Sequence, residues 1–168
     1  VYERIEATGL PLFLHPIFVL ARERLERHYL TNLIGNPVET TVAAAHLIFG
    51  GVLDAFPRLE VNLPHAGGTL PGVIGRLDHG ARVRPELAHM KQPPSAYLRR
   101  FTYDTIGHDD RINLNLVRLV GADRVLLGTD GAGVLKSDDL VSFTPSNTGF
   151  SERLVHRLIF DAASRRTL

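Results

Sequence analysis

The sequence contains no cysteine. The chain therefore cannot form disulfides or use a thiolate as a metal ligand or nucleophile, which leaves histidine and carboxylate side chains as the plausible metal ligands. The same absence is compatible with a reducing compartment, and we predict a cytoplasmic protein on that basis.

Long apolar runs and an excess of one charge are also missing. Residues 42–56 form the longest apolar stretch, but His46, Gly50, Gly51 and Asp54 interrupt it, so it is too short and too polar to span a bilayer. The first ten residues, VYERIEATGL, predict no signal peptide. Because 19 basic and 18 acidic residues give a net charge of +1, we expect neither a nucleic acid nor a membrane as partner.

Four short apolar runs, at residues 12–14, 59–63, 101–103 and 125–127, have the character of strands. Between them, amphipathic patterns predict helices, which we place at residues 23–33, 40–56 and 109–120. Strands that alternate with helices favour parallel pairing with right-handed crossovers, as in an open α/β sheet or a barrel.

The length of the chain shows whether it can form a complete barrel. An eight-stranded (β/α) barrel needs roughly 250 residues, so 168 residues hold only about half of one. No linker, repeat or low-complexity segment divides the chain. We therefore predict a single α/β domain over residues 1–168.

Three polar side chains follow predicted strands. They are His15 in PLFLHP, His65 in NLPHAGG and Asp130 in VLLGTDGAG. The carboxyl ends of parallel strands are where α/β proteins build their sites, and two imidazoles with one carboxylate have the composition of a zinc or related metal site. Each residue also has a structural interpretation, since strand-end histidines bond loop carbonyls and an aspartate in a glycine-rich turn bonds its own backbone.

Further candidates have weaker support. Arg76 and Arg84, in GRLDHGARVRPEL, could bind an anionic substrate, although surface arginines are usually solvated. His108 and Asp104 follow the third predicted strand and suit either a pocket or a loop role. Asp109 has the position of a helix N-cap.

Several motifs in order resemble the decarboxylase branch of the amidohydrolase superfamily, which includes aminocarboxymuconate-semialdehyde and gamma-resorcylate decarboxylases. The motifs are PLFLHP, IGNPVETT with LIFGGVLDAFPRLEV, PHAGG, GRLDHG, RPEL and GADRVLLGTD, and they extend from about Leu10 to Asp130. The resemblance implies a TIM-like barrel of which this chain supplies strands five to eight.

The resemblance also implies roles for four residues. His15 and Asp130 would be metal ligands ending the fifth and eighth strands, with zinc as the expected metal and manganese as the alternative. Asp130 would also take part in proton transfer. His65 would be the general acid and base of the sixth strand, and Arg84 would reach a substrate carboxylate in a neighbouring subunit, which implies a homodimer.

The sequence departs from the family's pattern in three places. The His-x-His or Glu-x-His pair of the first strand is absent, Gly131–Gly133 replaces the usual Tyr-Pro-Phe, and Asp161–Ala163 replaces Gly-Asn-Ala. The first departure indicates that strands one to four are not part of this chain.

The activity implied is metal-dependent, non-oxidative decarboxylation of a small aromatic or unsaturated carboxylic acid. Two alternatives remain open at this point. One is hydrolysis of a lactone or amide by a metal-bound water, and the other is a catalytically incomplete half-barrel with a structural or interaction role.

Overall fold

In a computed structural model of the protein, residues 1–128 are described, together with the backbone of residues 135–136 and 144–145. Within these ranges the α-helices are Tyr2–Thr8 (α1), Asn36–Phe49 (α2), Val52–Ala55 (α3), Leu70–Val83 (α4) and Asp110–Val120 (α5). The strands are Leu12–Phe13 (β1), Val61–Leu63 (β2), Phe101–Tyr103 (β3), Leu135–Lys136 (β4) and Thr144–Pro145 (β5). Asp130, which follows the fourth predicted strand, lies outside the described residues.

The first three strands form a parallel sheet in the order β1-β2-β3. Val61, at the start of β2, is paired with Leu12 on one side and Phe101 on the other. The predicted run at 125–127 extends this sheet only by a parallel bridge between Tyr103 and Val125. β4 and β5 pair with each other in antiparallel orientation. The parallel pairing predicted from the alternation of strands and helices is confirmed for β1 to β3.

The core lies around β2, whose three residues are all buried. Helix α2 contributes Ala44, Leu47 and Ile48, which belong to one buried cluster with the strand side chains. Residues 59–63 alternate apolar and polar side chains, but Asn62 is only 4% exposed, so β2 is covered on both faces as the strands of parallel sheets usually are. The carboxyl ends of the parallel strands, where His15 and His65 follow, are thereby fixed by a rigid core.

The prediction of a helix over residues 23–33 is wrong. The segment forms short 3₁₀ turns at Arg22–Arg24 and Arg27–Tyr29 and a π turn at Thr31–Gly35. His28 and Tyr29 both have a φ of 58°, a left-handed conformation that interrupts a right-handed helix. The amphipathic pattern of this segment therefore belongs to a loop rather than to a helix.

The other helix predictions hold with changed boundaries. The pattern at 40–56 is two helices, α2 and α3, because Gly51 has a φ of 68° and ends the right-handed path between them. The helix at 109–120 is confirmed, with the Asp109 carboxylate accepting the Arg111 N–H at 2.8 Å as its N-cap. Helix α4 was not predicted, because three glycines interrupt the spacing of its apolar residues.

None of the helices in the described part of the chain is long and apolar enough to cross a bilayer.

Candidate functional site

His15 and His65 come together at one edge of the sheet. They follow the adjacent parallel strands β1 and β2, and their ring centroids lie 5.6 Å apart with the ring planes inclined at 59°. The neighbouring position of the two histidines follows directly from strand order, because residues just beyond adjacent parallel strands lie at the same edge.

The His15 ring has a defined hydrogen bond. Its Nδ1 lies 3.0 Å from the carbonyl oxygen of Pro16, and because a carbonyl only accepts, this nitrogen carries the proton. The ring is exposed, and its Nε2 keeps a lone pair when the imidazole is neutral. Metal-binding histidines commonly donate their second nitrogen to a backbone carbonyl in this way, so His15 fits the role of a ligand.

His65 begins a turn with unusual backbone geometry. Four consecutive residues have positive φ, from His65 at 59° and Ala66 at 52° to Gly67 at 81° and Gly68 at 64°. The left-handed region costs on the order of 1 kcal/mol or more for each residue that carries a side chain. Tertiary contacts must therefore hold this turn, which we call the His65 turn (residues 65–68).

One of these contacts is the carboxylate of Asp104, which follows β3. Its Oδ1 accepts the backbone N–H of Ala66 at 2.8 Å and that of Ile106 at 3.0 Å. Burial raises the pKa of Asp104, while the N–H groups of Ala66 and Ile106 and the nearby His65 act in the opposite direction. Asp104, which the sequence left open between a pocket and a loop role, ties the His65 turn to the neighbouring strand.

The two glycines of the His65 turn permit close packing. A Cβ on Gly67 would lie 2.8 Å from the Tyr103 ring, and one on Gly68 would overlap the carbonyl oxygen of Pro37 at the start of α2. The Gly-Gly pair therefore allows the turn to lie against β3 and α2 at once.

Thr40 is a residue that the sequence reasoning missed. Its side chain is 1% exposed, and its Oγ1 lies 3.1 Å from His65 Nδ1 and 3.1 Å from the carbonyl oxygen of Asn36. A threonine on an alanine-rich helix reads as a packing residue. Only the fold, which places α2 beside the His65 turn, reveals this contact.

A cavity of about 260 Å³ lies between the loop after β1 and the start of α2. It reaches Pro16, the acceptor for His15, and Asn36, the acceptor for Thr40. Polar and apolar side chains mix in its lining, which consists of Pro16, Ile17, Val19, Arg22, Tyr29, Thr31, Asn32 and Asn36.

The remaining predicted site residues lie elsewhere. Arg84 is exposed at the C-terminal end of α4, whose 14 residues place it about 20 Å along the helix axis from the His65 turn. The described residues contain no group of three or more histidine, aspartate or glutamate side chains placed to hold a metal. Asp130, the third predicted site residue, lies outside the described residues. The continuous described range ends at Gly128, whose N–H donates to Thr105 Oγ1 at 3.0 Å.

Several curated proteins that are similar to this chain are named as decarboxylases. It is 38% identical over 132 residues to 2-amino-3-carboxymuconate-6-semialdehyde decarboxylase from Dictyostelium discoideum, an alignment that covers 77% of this chain and 37% of the relative. It is 29% identical over 140 residues to gamma-resorcylate decarboxylase from Rhizobium radiobacter, covering 75% and 41%. The chain thus spans about two fifths of the length of these curated relatives.

Solved structures give the same result. 5-Carboxyvanillate decarboxylase from Sphingomonas paucimobilis matches with a TM-score of 0.68 and 33% identity, over 77% of this chain and 41% of that one. Dihydroxybenzoic acid decarboxylase from Polaromonas sp. JS666, solved with bound manganese, matches with a TM-score of 0.66 and 28% identity, over 77% and 41%. Helices around a parallel sheet are the amidohydrolase-family fold that these structures share. Because the family model described as Amidohydrolase also matches residues 1–144, the chain belongs to the amidohydrolase family.

Proposed function

We propose that this chain supplies metal-binding and proton-transfer residues of a metal-dependent decarboxylase that acts on a small aromatic or unsaturated carboxylic acid. The observation that carries this proposal is the pair of imidazoles, His15 and His65, at one edge of the parallel sheet. The relatives named above are decarboxylases, which favours this reaction over hydrolysis of a lactone or amide.

The architecture in this proposal is half of a (β/α) barrel. The strands β1, β2 and β3, with the run at 125–127, would be strands five to eight, and residues 1–168 would form one domain. Strands one to four would come from another chain or another part of a longer one. The coverage of about two fifths of each relative supports this division.

His15 and Asp130 would hold the metal. The His15 hydrogen bond to the Pro16 carbonyl leaves Nε2 for coordination, and a carboxylate at Asp130 would complete this chain's share of the donors. Zinc is the metal that we expect, and manganese, which the Polaromonas enzyme contains, is the alternative. When bound, a divalent cation would polarise a substrate hydroxyl or a water.

Proton transfer would belong to His65. Its ring stands beside His15, within reach of a substrate held at the same edge, and would deliver a proton to the carbon that loses the carboxylate. Asp130 would assist in moving protons at the metal. Arg84 would pair with a carboxylate in a neighbouring subunit, which accounts for its distance from its own His65 turn and predicts a homodimer.

The cavity beside Pro16 would receive the substrate. Its volume of about 260 Å³ suits a single small ring with polar substituents. Arg22, Asn32 and Asn36 in its lining can hydrogen-bond to an acid, and Ile17 and Val19 offer apolar contact.

The test is release of carbon dioxide from a panel of carboxylates, including 2,6-dihydroxybenzoate and 5-carboxyvanillate, by this chain together with the strands one to four that complete the barrel, loaded with Zn²⁺ or Mn²⁺. We expect metal-dependent turnover that falls about 10²- to 10⁴-fold in His65→Asn. His79→Asn, an exposed histidine on α4, is the matched control and should keep full activity. A completed, metal-loaded barrel that releases no carbon dioxide from any member of the panel would overturn the proposal.

A further inference from the structure

The hydrogen bonds around Thr40 bear on which nitrogen of His65 carries a proton. Thr40 Oγ1 lies 3.1 Å from the Asn36 carbonyl oxygen, one helical turn earlier, and 3.1 Å from His65 Nδ1. A hydroxyl has one proton to donate, and a carbonyl oxygen can only accept. If Thr40 donates to Asn36, its oxygen is left to accept the proton of His65 Nδ1.

The opposite assignment is unfavourable. It would turn the Thr40 hydroxyl proton toward His65 and leave the Thr40 and Asn36 oxygens 3.1 Å apart with no proton between them. Donation from a helical threonine to the carbonyl four residues earlier is a recurring local arrangement. Because Thr40 is fully buried, no solvent is available to satisfy these oxygens in another way.

We infer that Thr40 is a positioning residue that fixes His65 in the Nδ1-protonated tautomer, through the chain His65 Nδ1–H to Thr40 Oγ1–H to the Asn36 carbonyl. In the neutral ring of this tautomer, Nε2 is the nitrogen that carries the lone pair. The consequence for catalysis rests on the proposed function, whereas the tautomer itself does not.

The backbone keeps the ring in place for this interaction. Asp104 holds the amide of Ala66, and Gly68 lies against the Pro37 carbonyl, so the His65 turn is anchored to both β3 and α2. A second contact between α2 and the segment after the turn lies beside the first, where Thr41 Oγ1 and Thr69 Oγ1 are 2.8 Å apart. Thr41 therefore offers a matched control on the same helix that lacks the contact with His65 Nδ1.

The direct experiment is ¹⁵N NMR of histidine-labelled protein free of paramagnetic metal, with the His65 signals assigned by their loss in His65→Asn. We expect wild type and Thr40→Ser to show a protonated Nδ1 and an unprotonated Nε2 in the neutral ring. Thr40→Val should shift the population toward the Nε2-protonated form, while Thr41→Val should leave it unchanged. A wild-type ring protonated at Nε2, or a tautomer that Thr40→Val does not alter, would overturn the inference.

Kinetics then test the catalytic consequence. We expect Thr40→Val to lower kcat by at least about tenfold with little change in KM, and Thr40→Ser to restore most of the rate. Circular dichroism melting separates this loss from unfolding, since Thr41→Val should destabilise the same helix junction without the loss in kcat. A folded Thr40→Val variant with wild-type kcat would contradict the positioning role. Absence of turnover in wild type would instead reject the proposed function and leave the NMR result as the test of Thr40.

Discussion

His15 and His65 face each other across neighbouring parallel strands, with ring centroids 5.6 Å apart and with each Nδ1 within hydrogen-bond distance of an oxygen. For His15 the oxygen is the Pro16 carbonyl, and for His65 it is the Thr40 hydroxyl. The two rings therefore share one edge of the sheet, and the separate roles that we propose for them can be distinguished with variants.

The first prediction concerns metal affinity. Changing a residue that supports a metal ligand typically weakens binding about 10- to 100-fold, so loss of a ligand itself in His15→Ala should weaken Zn²⁺ binding by more than about 100-fold. His65→Asn should retain most of the affinity because its role is proton transfer. Isothermal titration calorimetry on the metal-stripped protein measures both. Equal Zn²⁺ affinity in His15→Ala and wild type would rule out His15 as a ligand.

The second prediction concerns the support of the His65 turn. Asp104→Ala leaves the N–H groups of Ala66 and Ile106 without their acceptor, and Ala66 is buried, so we expect a loss of about 1–3 kcal/mol for each group left unsatisfied. Asp104→Asn keeps an Oδ1 that can accept both N–H groups. Urea unfolding measures the free energy of unfolding of both variants. Equal values for Asp104→Ala and wild type would show that Asp104 does not stabilise the His65 turn.

The pH dependence of Asp104 has a defined sign. Burial raises its pKa in the folded state, so the folded protein binds this proton more tightly than the unfolded chain does. The resulting stability is fully present below the unfolded pKa and is lost as pH rises through the folded pKa. Asp104→Asn should therefore be at least as stable as wild type at pH 7, with its relative advantage shrinking toward pH 4. If the stability of Asp104→Asn relative to wild type increased toward pH 4, this prediction would be contradicted.

The third prediction uses the close approach at Gly68. An alanine there combines a φ of +64° with overlap of the Pro37 carbonyl, and we expect a loss of about 2 kcal/mol or more. Gly75 is the control because its added Cβ meets no atom within 4 Å in helix α4, so Gly75→Ala should stabilise by about 0.5–1 kcal/mol. Chemical denaturation of both variants gives the comparison. A Gly68→Ala protein as stable as Gly75→Ala would show that the turn is not tightly packed.

The fourth prediction concerns association. Ile17, Phe18 and Leu20 are 85%, 79% and 64% exposed in the loop after β1, and within the described residues β1 pairs on one side only, with β2. Exposed apolar side chains beside a free strand edge favour self-association. Sedimentation velocity should detect dimers or larger species, reduced by the double substitution Ile17→Ser and Phe18→Ser. A compact monomer at every concentration would argue against the half-barrel.

Much of the sheet could be predicted from sequence, since buried parallel strands read as short apolar runs and the residues that follow them meet at one edge. His15 and His65 were found in this way. Thr40 and Asp104 could not be assigned, because each acts through a contact with a residue 25 or 38 positions away in sequence. The left-handed residues at 28 and 29 are also set by packing, which is why an amphipathic pattern there did not form a helix.

The most direct test is anomalous diffraction at the zinc edge from crystals of the protein loaded with Zn²⁺. We expect one ordered metal bound by His15 Nε2 and an Asp130 carboxylate oxygen, with His65 adjacent. A zinc ion that makes no contact with His15, or zinc-loaded crystals with no anomalous peak at this edge of the sheet, would contradict a metal-dependent site built on these residues.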